Sequence, residues 1–189
     1  NAPTKVEPQK NPVAVAPASN KPIQDRIGGA NETQTLRREE QPLDLNQPPG
    51  PVTTLKLWRL GNDYAGCVAA LLRAGAEIKP VADYVSPTKP ACSRTDSVLV
   101  SKLSAATLRP EEMRCSVALR LYLLEKHVMQ PHASALLGSP VKSISHFGSY
   151  ACRTMRGSSW RMSEHATANA FDLRGVTLAD GRALSLKAD

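Results

Sequence analysis

The sequence predicts an α+β domain, a small antiparallel sheet with helices packed on one side, preceded by a proline-rich tail. Three observations carry this expectation. Helix-period apolar stripes come early in the domain, strand-like alternation and a hairpin signal come late, and the first 51 residues lack the composition of a core.

The tail comes first in the chain. Residues 1–51 hold nine of the fifteen prolines, no aromatic residue, and six basic against six acidic side chains. Such a stretch buries too little apolar surface to offset its ordering entropy, so it reads as a disordered or polyproline-like linker. A second use is as a docking segment that orders on an envelope protein partner. Leu36 to Glu40 offers a helical turn, and Pro42-Leu43-Asp44-Leu45 an extended piece that lies along a groove. Residues 52–189 then form the domain, within a chain that is 41% apolar.

The domain's elements follow in order. Asn62 or Asp63 caps a helix running to Arg73, with Cys67, Val68, Leu71 and Leu72 on one stripe. Gly75 stands where a left-handed residue closes a helix. Ile78 to Val85 is a short strand interrupted by proline, and Ser97 to Leu103 a second strand. Pro110-Glu111-Glu112 opens the longest helix, which continues through Leu119, Leu121, Leu123 and Leu124 to about His127. Proline and acids suit a first turn because the N–H groups there are unpaired. Pro131 kinks or breaks that helix, and a second stretch ends near Gly138. Val141 to His146 is a strand, Gly148-Ser149 a turn, and Val176 to Leu186 a hairpin turning at Asp180-Gly181.

Charge and cysteine usage narrow the partners. Residues 52–189 carry eighteen Lys and Arg against eleven Asp and Glu, so the excess charge belongs to the domain. Basic domains meet nucleic acid, anionic lipid or acidic polysaccharide. No helix-turn-helix, zinc finger or aromatic RNA platform is present, and aromatic residues are 4% of the chain, which argues against nucleic acid. No run of eighteen apolar residues offers a transmembrane segment. The chain has no initiator Met and no secretory leader, which fits a mature secreted protein or a domain cut from an N-terminal anchor. Cys67, Cys92, Cys115 and Cys152 are widely spaced with no C-x-x-C, so they read as two structural disulfides in an oxidising compartment, in any of three connectivities.

The most particular stretch is Arg161 to Leu173. His165 and Asp172 lie seven residues apart among small residues. Ser, Thr and Asn argue against a helix, and Asn169 to Leu173 alternates as a half-buried strand does. A loop carrying His165 that turns into a strand carrying Asp172 lets both side chains converge on one point. An imidazole and a carboxylate are two of the three protein ligands of a catalytic zinc site.

The string Ser163-x-His165 through Ala170-x-Asp172 resembles the signature of the zinc D-alanyl-D-alanine carboxypeptidase and dipeptidase superfamily of bacterial cell-wall peptidases. Ala168 stands where those enzymes usually have glycine. A nearer resemblance is to the bacterial extensin-like C-terminal domain family, which looks like a branch of that superfamily. It rests on His146-Phe147-Gly148-Ser149-Tyr150-Ala151-Cys152-Arg153, on Ser163 to Asp172, and on Thr177-Leu178-Ala179-Asp180-Gly181-Arg182, and runs from about Leu60 to the last residue. The resemblance implies Zn2+ on His165 and Asp172, Ser163 bracing the loop, and Tyr150 supporting the site. It implies a catalytic role for Arg153, binding the substrate carboxylate or steadying an oxyanion; loss of one such group costs roughly 3 kcal/mol. It implies peptidoglycan as the partner, in the periplasm or elsewhere in the cell envelope.

The other polar residues have blander readings. Arg156 and Arg161 bracket a Gly-Ser-Ser-Trp loop and face solvent or polymer, while Trp160 is a stacking lip or a cover over the core. His127 and His132 are structural or exposed. His146 is a hydrogen-bonded core histidine or, at a distance, a third ligand, and alternation turns Glu164 away from the metal. In the resembled families a third ligand, a His, and the general base lie well downstream in a segment this sequence does not show after Asp172. Ending within a predicted hairpin favours a shortened chain; the other reading is a copy without catalysis. Two functions therefore stand side by side: a zinc peptidase acting on peptidoglycan peptides, and an inactive wall-binding or envelope-scaffold protein with residues 1–51 as tether or docking segment.

Overall fold

The computed structural model describes residues 42–186. Residues 1–41 of the expected 1–51 linker, including the turn at Leu36 to Glu40, lie outside the described residues. The rest of it, residues 42–51, behaves differently from a linker. Leu45 is 1% exposed within the core, its carbonyl lies 2.9 Å from His127 Nε2, and Leu43 packs beside it. The extended piece expected to dock on a partner docks on its own domain, because two leucines at alternate positions supply apolar anchors that the prolines around them do not.

Helix α1 (Thr53–Gly61) carries no capping side-chain bond and no acid in its first turn, so the usual start signals are missing from the sequence. Its half-buried Leu57 and Leu60 hold it on the core instead. Helix α2 (Tyr64–Arg73) begins where expected, with the Asp63 carboxylate accepting the Gly66 N–H at 3.0 Å. Cys67, Ala70 and Leu71 are its buried face, and Gly75 follows it at φ +88°. Strand β1 (Glu77–Pro80) is shorter than predicted; beyond it Tyr84 and Arg94 form a single bridge. A 3-10 turn at Pro90–Cys92 leads to β2 (Ser97–Lys102), with Val98 and Val100 fully buried.

The Pro110-Glu111-Glu112 segment corrects the sequence reading. It is not a helix start but the middle of β3 (Thr107–Arg114), antiparallel to β2 with Leu99 opposite Glu112 and Val100 opposite Glu111. Pro110 sits beside a bulge in that pairing, where a missing N–H costs little. Helix α3 (Cys115–Leu124) starts only after it. Nor does Pro131 end the helix. A π turn at Glu125–Met129 absorbs the mismatch, and α4 (Gln130–Leu137) continues with Pro131 in its first turn, where proline lacks nothing it needs.

Strands β4 (Val141–Gly148), β5 (Asp172–Leu178) and β6 (Ala183–Ser185) complete the sheet, and the hairpin between β5 and β6 turns at Asp180-Gly181 as expected. The order is β1-β2-β3-β4-β5-β6. Every neighbouring pair is antiparallel except β3–β4, which the α3–α4 rod connects in parallel. The sheet is thus six-stranded and mostly antiparallel, larger than the small all-antiparallel one expected. Burial alternates along β4, with Val141, Ile144 and His146 inside and Lys142, Ser145 and Phe147 outside. Disulfides join Cys67 to Cys115, fastening α2 to α3, and Cys92 to Cys152, fastening the turn before β2 to the segment after β4.

Candidate functional site

Strand β4 ends at Gly148 with φ +116°, a backbone that L side chains resist, and the chain swings out into a long excursion from Ser149 to Phe171 before returning as β5. The excursion is pinned to itself. Thr154 and Met162 form a bridge, the Ser163 N–H donates to the Arg153 carbonyl at 3.0 Å, and the Ala151 N–H donates to the His165 carbonyl at 2.9 Å. Ser163 then caps a 3-10 turn, Glu164–Thr167, its hydroxyl accepting the His165 N–H at 3.4 Å. Ser163 thus sits at the start of the turn that carries His165.

That turn aims His165 at the first residue of β5. Its Nε2 lies 3.3 Å from Asp172 Oδ1, with the imidazole 12% and the carboxylate 54% exposed. The other ring nitrogen, Nδ1, lies 2.8 Å from the Ser149 carbonyl oxygen. A carbonyl only accepts, so Nδ1 carries a hydrogen. A neutral His165 then turns a bare Nε2 lone pair towards a carboxylate oxygen. A cation placed between those two atoms would meet a lone pair from each. A histidine whose far nitrogen is held by a backbone carbonyl is also the arrangement of a metal-ligating imidazole.

The donor set falls short of a catalytic zinc centre. Among the described residues no group of three or more His, Cys, Asp or Glu side chains is arranged to hold an ion. His165 and Asp172 supply two donors, whereas catalytic zinc takes three from the protein.

The remaining expected residues are placed as follows. Arg153 lends its carbonyl to the loop, but its exposed guanidinium makes no hydrogen bond or ion pair with His165 or Asp172; Nη1 points to the Thr154 carbonyl at 3.5 Å. Tyr150 supports from further out, its hydroxyl donating to the Cys92 carbonyl at 3.2 Å while the Arg94 guanidinium lies 4.6 Å over its ring. Arg94 also meets Glu112 at 2.7 Å and stacks on Tyr84, so Tyr150 belongs to the fastening around the Cys92–Cys152 disulfide. His146 is a core histidine, its Nε2 3.0 Å from the Arg109 carbonyl. Glu164 is turned aside, accepting from Asn169 Nδ2 at 2.6 Å. Trp160 is 80% exposed and covers no core.

Two contributors were not assigned roles from sequence. Ser149 stood inside a quoted motif, and Glu111 was taken for a helix-opening acid. Glu111 Oε1 accepts the Ser149 N–H at 2.7 Å, and the buried Ser149 hydroxyl donates to the Ala170 carbonyl at 2.6 Å.

Beside this loop lies a cavity of about 380 Å³ whose lining includes Trp58, Arg114, Ser116, Arg120 and Asn169. Arg114 is paired with Asp96 at 3.0 Å. Arg120 donates to the Ser116 carbonyl at 2.8 Å and has no acidic partner among the described residues.

Residues 65–189 match a family profile described as Extensin-like protein C-terminus. Searches of curated proteins and of solved structures found no match.

Proposed function

We propose a function for this chain, which belongs to the Extensin-like protein C-terminus family: it is a cell-envelope domain of the zinc-peptidase type that acts on or binds peptidoglycan peptides. The observation that carries the proposal is the His165–Asp172 pair, with Nδ1 engaged by the Ser149 carbonyl and Nε2 turned to the carboxylate. In that role His165 and Asp172 would supply two of the ligands of a cation, Ser163 would keep the turn closed, and a Zn2+ held there would supply Lewis-acid chemistry at a peptide carbonyl. The alternation of burial along β4 suits a D-alanyl-D-alanine carboxypeptidase-like arrangement with helices on one side of the sheet.

Three further features support the reading. Two disulfides suit an oxidising compartment, hence a periplasmic or otherwise secreted site of action. Arg120 in the cavity beside Asn169 suits the free carboxylates of wall peptides, which a guanidinium recognises through paired N–H donors. Exposed Trp58 and Trp160 offer flat faces for sugar rings. No described helix is long and apolar enough to cross a membrane, and residues 1–41 would serve as tether or as a docking segment for an envelope protein.

A second reading rests on the two-donor count: the domain binds wall peptides in a peptidase-type cleft without cutting them. Elemental analysis of zinc per chain, with Asp172→Ala as control, separates the two. Near one zinc in the wild type, lost in Asp172→Ala with an unchanged circular-dichroism spectrum and melting point, supports the peptidase reading. Asp172 is half exposed at a strand's first residue, so its loss should leave the fold intact. Absence of zinc with sedimentation on purified peptidoglycan retained supports the binding reading. Neither zinc nor sedimentation overturns both.

A further inference from the structure

We infer that Glu111 is the positioning residue of the His165–Asp172 pair, acting through the backbone of Ser149. The inference deepens the reading proposed above and rests on it for its functional meaning.

Ser149 is fully buried and held at three points. Its N–H donates to Glu111 Oε1 at 2.7 Å, its hydroxyl to the Ala170 carbonyl at 2.6 Å, and its carbonyl accepts from His165 Nδ1 at 2.8 Å. The carbonyl sets the tautomer and direction of the imidazole, so whatever fixes Ser149 fixes the Nε2 lone pair. The residue before it, Gly148 at φ +116°, is the softest backbone position in the turn and does not hold Ser149 by itself. Glu111 Oε1 lies against that glycine, 3.4 Å from where a Cβ would stand. A carboxylate is a stronger anchor for an N–H than a neutral acceptor by roughly a factor of two.

Glu111 stands beside a buried imidazole. Its Oε2 lies 3.8 Å from His146 Nδ1, the imidazole of which is 1% exposed. His146 Nε2 faces a carbonyl, that of Arg109, and so carries the hydrogen; Nδ1 has no hydrogen-bond partner and faces the carboxylate. The His146 ring packs on Phe171, the residue before Asp172, with centroids 5.2 Å apart. Glu111 thus reaches His165 through Ser149, and His146 packs beside the Asp172 segment through Phe171.

The test reads the ring of His165 directly. Long-range proton–nitrogen correlation spectra of metal-free protein, at a pH above the ordinary histidine range, report which imidazole nitrogen carries the hydrogen. The wild type should show a single Nδ1–H tautomer. Glu111→Ala, folded by its dispersed amide spectrum, should give a mixture of tautomers, with the Ser149 amide exchanging faster. Glu111→Gln, which keeps an oxygen acceptor without the charge, should raise Ser149 exchange about tenfold and show a minor second tautomer. If Glu111→Ala does not fold, the glutamine variant decides on those same two readouts. A single unchanged tautomer with unchanged Ser149 exchange, in whichever folded variant is measured, overturns the inference. The measurement uses no metal, so it stands or falls separately from the zinc analysis, which tests the site's function.

Discussion

Ala168 adopts φ +53° and ψ 26° with its methyl fully buried, at the end of the turn that carries His165. Its carbonyl accepts the Arg114 N–H at 3.0 Å, so this left-handed residue joins the site loop to β3. The conformation costs an L residue roughly 1–2 kcal/mol, and glycine is free of that cost, which explains glycine at this place in the resembled signature. Ala168→Gly should change stability by less than about 1 kcal/mol, because the buried methyl it removes offsets the strain it relieves. Ala168→Val adds a branched Cβ to a left-handed, filled position and should cost about 3 kcal/mol, read as a lower denaturant midpoint at unchanged slope. At this scale the pair itself was legible: small residues around His165, then alternation into Asp172, foretold a loop entering a strand. Arg153 was not, because a motif fixes the order of residues along a loop and says nothing of which way an exposed guanidinium turns.

Elements were read correctly where a local signal had no competitor, as at the Asp63 cap of α2 and the Asp180-Gly181 hairpin. They were misread where a local signal met a tertiary one. Pro110-Glu111-Glu112 offers the proline and acids of a helix's first turn, yet pairing with β2 wins, and Glu111 lies on a strand instead. Glu125 shows the same priority of tertiary contact. Fully buried in the π turn, its carboxylate accepts from the Ser104 N–H at 2.9 Å, the Ser104 hydroxyl at 2.5 Å, the Ala106 N–H at 3.1 Å and Gln130 Nε2 at 2.5 Å, closing the β2–β3 turn. Glu125→Gln brings an NH2 group against these donors and should cost about 3 kcal/mol by chemical denaturation. In the β5–β6 turn the Arg182 side chain holds the Asp180 carboxyl below the usual carboxylate range, helped by the Arg182 backbone N–H. A depressed folded-state value stabilises above the unfolded value, and that contribution is lost as pH falls through the folded one. The urea-midpoint difference between wild type and Asp180→Asn, present at neutral pH, should therefore shrink as pH falls below the ordinary carboxylate range; both groups are exposed, so salt should shrink it too.

For the molecule as a whole, the two disulfides divide the work between core and site. Cys67–Cys115 closes a separation of 48 residues and joins two helices whose neighbouring residues, Leu71 and Leu119, are fully buried. Cys92–Cys152 closes 60 residues at the rim, where Cys152 lies near the start of the excursion that carries Ser163 and His165. Chain-entropy arguments give each about 4 kcal/mol, so length does not distinguish them. Location does. Replacing Cys67 and Cys115 together by alanine leaves the helix pair's apolar contacts in place but loosens the core around them, and should lower the melting point of the entire domain. Replacing Cys92 and Cys152 removes the fastening that also holds Tyr150 and Arg94, and should act first on the loop. The expected outcome is amide exchange faster between residues 150 and 165 than in β2 or α3, and weakened zinc or wall-peptide binding while far-ultraviolet circular dichroism is retained. Equal acceleration of exchange in core and loop would mean that the rim disulfide serves the fold in general. Preferential loosening of the loop would mean that the oxidising compartment completes the site as well as the fold, since the excursion has one short bridge of its own and no helix or strand longer than the 3-10 turn to hold it.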